Sequence, residues 1–70
     1  EVDRDLNCLT SREKDVLKCL SIGMSNQQTG EYLSIQLGTV KVHVKHILKK
    51  MGFASRTQAA LWARDRGVTI

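Results

Sequence analysis

Lys41, Lys45 and Lys49 recur at intervals of four residues, with His43 and His46 between the first and last of them. On a helix this spacing gathers the three ammonium groups along one side. A row of fixed cations makes and breaks no bonds. Its chemistry is the capture of a polyanion, through phosphate oxygens or through the O6 and N7 atoms of guanine. The two histidines stand three residues apart and could share a helix face as metal ligands. No Cys, Asp or Glu lies close enough in sequence to complete their coordination set, so bonds to backbone, phosphate or water are the plainer role. A nuclease or hydrolase reading finds no carboxylate cluster, no nucleophile–base pair and no glycine-rich phosphate loop. The expectation is a chain that is not an enzyme and takes neither cofactor nor metal.

Charge is segregated along the chain. Residues 1–31 hold four basic and six acidic side chains, whereas residues 32–64 hold Lys41, Lys45, Lys49, Lys50, Arg56 and Arg64 with no acid at all. Such asymmetry is the footprint of a polyanion binder. A solvated basic face would look the same by charge alone.

The elements that must position these groups read from periodicity and caps. Thr10-Ser11-Arg12-Glu13 forms a capping box that opens a first helix, with Val16, Leu17, Cys19 and Leu20 as its inward stripe and Gly23 after its last turn. Ser25 or Asn26 caps a second helix that runs to about Leu33, with Tyr32 and Leu33 expected inward. The third helix covers about 37–51 and stops at Gly52; the fourth starts at Ser55, with Gln58 in the capping-box position, and reaches Arg66. Only Ser34-Ile35-Gln36 separates the second helix from the third, too short a link for a hairpin. The two helices must cross steeply, as in a helix-turn-helix. The fold class expected is all-α: a compact four-helix domain.

In the third helix Val40, Val44, Ile47, Leu48 and Met51 form one stripe that must face the core. Lys41, Val42, Lys45 and Lys49 are then turned outward, on a helix slim enough to enter the DNA major groove. An amphipathic helix carrying lysines only for solubility would balance them with glutamates at helical spacing, and this segment has none. Val42 among the lysines is better explained by contact with a thymine methyl than by water.

Seventy residues make one domain with a modest core, here read as 1–70. No apolar run is long enough for a membrane span. The acidic start, residues 1–5, has no signal-peptide core and no initiator Met, so the chain reads as an excised piece of a longer protein. Cys8 and Cys19 match no zinc or redox spacing and read as two reduced thiols, one in the first helix's core and one near the start. Trp62 reads as core filling rather than a base-stacking platform.

Together these residues resemble the LuxR/NarL family of helix-turn-helix domains, from about residue 9 to residue 66. The matching pieces are Leu9-Thr10-Ser11-Arg12-Glu13, Gly23-Met24-Ser25-Asn26, Glu31-Tyr32-Leu33-Ser34-Ile35, Thr39-Val40-Lys41-Val42-His43-Val44 and Ser55-Arg56-Thr57-Gln58-Ala59-Ala60. The run from Val40 to Met51 is most like the nitrate/nitrite response-regulator branch. The resemblance implies a LuxR/GerE-like fold, with a helix-turn-helix over about 26–51 and a dimerisation helix over about 56–66. It implies that Lys41, Val42 and Lys45 read base edges, while Asn26, Thr39 and Lys49 sit at the DNA backbone. Thr57, Ala60, Leu61 and Arg64 would form the dimer contact, and Glu13 would pair with Arg56. It further implies a cytoplasmic regulator of transcription, a response regulator of a two-component system, whose receiver or ligand-binding domain lies outside this chain. Its partners would be double-stranded DNA, a second copy of the chain and RNA polymerase, with no membrane.

The chain departs from the family pattern at Thr29-Gly30, where an aliphatic residue and Ala are usual, and at Gln36-Leu37-Gly38, where a Ser or Thr cap and a polar pair are usual. Glycine inside a helix costs roughly 1 kcal/mol against alanine. Two other readings stay open from residues alone. Ala59-Ala60-Leu61 could dock a partner helix in a protein-interaction module, and a sigma-factor-like promoter-binding module shares the helix-turn-helix.

Overall fold

A computed structural model describes residues 6–70; the acidic stretch 1–5 lies outside the described residues. After a short 3-10 turn at Leu6–Cys8 come four helices: α1 (Ser11–Ser21), α2 (Asn26–Leu33), α3 (Leu37–Met51) and α4 (Arg56–Asp65). The expected boundaries hold to within a residue.

Local chemistry explains the helix starts. Thr10 Oγ1 accepts from the Glu13 N–H while Glu13 Oε1 accepts from the Thr10 N–H, so both ends of the capping box close. Ser25 and Gln28 form a second such box at α2, a pairing that periodicity alone did not suggest. At α4, Ser55 Oγ accepts from the Gln58 N–H, but Gln58 Oε1 takes the Ala54 N–H, one residue outside the usual box. α3 ends at Gly52 with φ 72°, a left-handed conformation that suits glycine.

α1 lies at the centre, packed against α4, α3 and α2. Its Val16, Leu17 and Leu20 meet Val40, Val44, Ile47 and Met51 of α3, with Leu9, Phe53, Ala59 and Ala63 closing the core. Leu48, Leu33 and Trp62 are partly buried against this cluster, and Trp62 lies 5.7 Å from the Phe53 ring. Trp62 is thus core filling, as expected. Tyr32 is not inward: it is 55% exposed. An eight-residue α2 shows the core a narrow stripe, which Thr29, Gly30 and Leu33 occupy.

The Thr29-Gly30 departure has a structural explanation. Thr29 is fully buried, and its hydroxyl donates to the Ser25 carbonyl at 2.8 Å, so no polar atom is orphaned. Ile35 folds back so that its N–H donates to the Gly30 carbonyl at 2.9 Å. A Cβ on Gly30 would stand 2.8 Å from the Ile35 carbonyl oxygen, so glycine lets the link close this tightly. The reversal itself falls on Ser34, whose φ of 58° is left-handed and costs roughly 1–2 kcal/mol in a residue with a side chain. Gln36 makes no side-chain cap bond, as its type suggested.

Glu13 is nearly fully buried and joins α1 to α3. Lys50 Nζ donates to its Oε1 at 2.7 Å, and His46 Nδ1 lies 3.5 Å from its Oε2, an ion pair when the imidazole is protonated. The expected pair with Arg56 does not form. Arg56, at the first turn of α4, lies beside the start of α2 and donates to Asn26 Oδ1 and the Met24 carbonyl instead. Burial by itself would raise the Glu13 carboxyl. The Lys50 hydrogen bond, the Thr10 N–H and the charges of Lys50 and His46 outweigh it and hold the group below the usual glutamate range.

A depressed carboxyl contributes stability that is complete above the unfolded titration point, about pH 4.3, and fades as pH falls through the lower folded value. Glu13→Gln is expected to cost about 1–3 kcal/mol at neutral pH. It should also flatten the acid limb of stability against pH, measured by urea melts from about pH 3 to 7. Parallel limbs for parent and variant would exclude the assignment.

Candidate nucleic-acid interface

α3 turns once in about 3.6 residues, which puts Gly38, Lys41, Val42, Lys45 and Lys49 on one side. All five are exposed, and Val42 is 49% exposed. Val40, Val44, Ile47 and Met51 are buried on the other side. The helix is therefore oriented as its apolar stripe required. Gly38 adds no side chain to the outward face and has open space around it. Leu37, beside it in the first turn, is 44% exposed.

The six cations of residues 32–64 divide into two kinds. Lys50 is consumed by Glu13. Arg56 is held by Asn26 and Met24, and Arg64 donates to the Ser21 carbonyl at the end of α1 through Nε (3.3 Å) and Nη2 (3.1 Å). Lys41, Lys45 and Lys49 make no hydrogen bond or ion pair among the described residues, and all three project from α3. Basic composition therefore overstated the free cationic surface, because half of it holds the fold together.

Among the DNA-backbone candidates, Thr39 is exposed at the start of α3 and Asn26 is half-buried at the start of α2. Asn26 Oδ1 accepts from Arg56 Nη1 at 2.6 Å, a contact hidden by thirty residues of separation. His46 turns toward Glu13, so its partner is a carboxylate rather than backbone, phosphate or water. His43 is half-buried, and its Nδ1 is buried without a hydrogen-bond partner among the described residues. Among the described residues no group of three His, Cys, Asp or Glu side chains is placed to hold a metal, and no helix is long and apolar enough to cross a membrane. Both cysteines are free; Cys8 is exposed near Met51 and Cys19 is buried, where burial pushes its thiol up.

α4 shows a second face. Thr57, Leu61 and Arg64 are exposed on it, and Leu61 is 57% exposed in a shallow depression with Gln58, Trp62, Arg64 and Asp65. Ala60 differs from its three companions: it is half-buried against the core.

Known proteins resemble this chain in sequence. Residues 7–63 match the family described as bacterial regulatory proteins, luxR family. The chain is 47% identical over 66 residues to the nitrate/nitrite response regulator protein NarL of Escherichia coli strain K12, which covers 94% of this chain and 31% of that protein. It is 41% identical over its whole length to the transcriptional regulatory protein LnrK of Bacillus subtilis strain 168, covering 32% of that protein. It is also 46% identical over 57 residues to the CsgBAC operon transcriptional regulatory protein of Escherichia coli strain K12, covering 81% of this chain and 26% of that protein. The chain thus spans about a third or less of the length of these relatives.

The orientation of α3 can be tested without any ligand. Val42→Ala is expected to change stability by no more than about 0.5 kcal/mol, as for other exposed substitutions. Val44→Ala should cost about 1–3 kcal/mol through reduced burial and a cavity. Thermal melts of the two variants check the difference; equal destabilisation would mean the outward and inward faces are wrongly assigned.

Proposed function

The chain belongs to the luxR family of bacterial regulatory proteins, and from that premise we propose that it is the sequence-specific DNA-binding module of a transcription regulator. α3 enters the major groove, where Lys41 and Lys45 donate to guanine edges or nearby phosphates and Val42 meets a thymine methyl. Thr39 and Lys49 along α3, and Asn26 at the start of α2, meet the sugar–phosphate backbone and set the register. The observation that carries this reading is the outward face of α3: three lysines without a partner among the described residues, flanking a half-exposed valine, with no acid among them. A helix with its side chains is about 10–12 Å across and the major groove about 12 Å wide, so such a face fits without deforming the duplex.

The module works as a dimer on paired half-sites, with α4 as the contact through Thr57, Ala60, Leu61 and Arg64. Leu61 supports this reading, being a large apolar side chain left open on a helix whose other side is fully used by the core. In the whole regulator this module is the output end of a cytoplasmic response regulator. The likeness to NarL, a nitrate/nitrite response regulator, supports that placement.

Selecting bound duplexes from a random pool tests DNA recognition and reports half-site spacing in one experiment. On the selected duplex, replacing Lys41 and Lys45 with Ala is expected to weaken binding by about 1–3 kcal/mol for each base-reading side chain removed. The dependence of affinity on salt should become shallower, because fewer counterions are released. Unchanged affinity at matched salt would remove α3 as the reading element, and recovery of no duplex would overturn the function.

A further inference from the structure

We propose that Arg56 is a positioning residue for the DNA-backbone grip: it orients the Asn26 side chain so that its amide N–H groups face a phosphate. The inference rests on the DNA reading above and adds a residue that touches no DNA itself.

The geometry is specific. Arg56 is half-buried at the first turn of α4, and its planar guanidinium spans two acceptors at once. Nη1 donates to Asn26 Oδ1 at 2.6 Å and Nη2 donates to the Met24 carbonyl at 3.1 Å. Met24 is in the link between α1 and α2, and Asn26 is the first residue of α2. One side chain thus clamps the link and the amide together.

The clamp decides which way the amide points. A guanidinium has donors only, so the group facing it must be the amide oxygen. The amide nitrogen is then directed away from Arg56. Asn26 Nδ2 has no hydrogen-bond partner among the described residues and is not buried without one, so it is open to solvent. An amide left to rotate would offer a phosphate its oxygen as often as its nitrogen, and a carbonyl oxygen beside a phosphate oxygen is repulsive. Holding the nitrogen outward in advance removes that ordering cost from binding. The donor also lies at the start of a helix, where partial positive charge already favours an anion.

Lysine cannot replace arginine here. An ammonium keeps the charge, but it lacks the planar fork that reaches two acceptors in fixed geometry. Arg56→Lys therefore separates positioning from simple charge attraction. Asn26→Asp separates the donor from the latch, because a carboxylate accepts from Arg56 as well as the amide does but has nothing to donate to phosphate.

The test uses the whole chain and a short, fluorescein-labelled, mixed-sequence DNA duplex at fixed low salt, since a phosphate contact does not depend on base sequence. Arg56→Lys and Asn26→Ala are each expected to weaken binding about three- to tenfold, the weight of one hydrogen bond. The double variant should be no weaker than the poorer single one, because both changes remove the same contact. Asn26→Asp should melt at the parent temperature or higher, showing an intact latch, and should bind less well than Asn26→Ala. If the effects of Arg56→Lys and Asn26→Ala multiply, or if Arg56→Lys binds like the parent, Arg56 does not act through Asn26. The Lys41→Ala/Lys45→Ala variant is measured alongside. Weakening there with no effect of Arg56→Lys overturns this proposal alone, whereas no weakening in either overturns the DNA reading with it.

Discussion

α3 has to satisfy two environments at once, and its register follows from that. Val40, Val44, Ile47 and Met51 are excluded from water chiefly by α1 and α2, with α4 adding a smaller contact, so the helix cannot rotate about its axis without exposing them. At about 25 cal/mol per Å² of apolar surface, such a rotation would cost several kcal/mol, a large share of what a domain of this size has available. Lys41, Val42, Lys45 and Lys49 are held outward by this constraint rather than by any contact of their own. An outward face made in this way is rigid because its reverse side is packed.

Glu13 supplies the second anchor. A carboxylate buried without partners would be strongly destabilising, and here it accepts from the Thr10 N–H and from Lys50 while facing His46. Two of those partners are on the C-terminal half of α3, so the start of α1 and the end of α3 are tied together at the point where the apolar stripe gives way to solvent. The same pairing removes Lys50 from the pool of free cations. Arg56 and Arg64 are likewise bound to acceptors on the α1–α2 segment. Charge is thereby divided, with some cations closing the fold and the lysines of the outward face left without a partner among the described residues.

The link between α2 and α3 shows how an atypical sequence can still make a tight crossing. Three residues carry the turn. They depend on Gly30 to let the Ile35 carbonyl approach, on Ser34 to accept a left-handed conformation, and on the buried Thr29 hydroxyl bonding within its own helix. The departure from the family pattern at Thr29-Gly30 is therefore locally satisfied. The exception is the uncapped start of α3 at Gln36.

The four helices, the capping box at Thr10 and the two faces of α3 could be read from the chain itself, because helix periodicity and capping depend on residues three or four apart. The family motifs followed for the same reason, being short and ordered along the chain. Which cation meets which acceptor could not be read this way. Lys50 reaches across 37 residues to Glu13, Arg56 across 30 to Asn26, and Arg64 across 43 to Ser21. Tyr32 was misplaced for a related reason: a short helix shows the core a stripe whose width is set by its neighbours. Pairings between distant segments depend on how the helices dock, and only the tertiary structure brings those atoms within a hydrogen bond of one another.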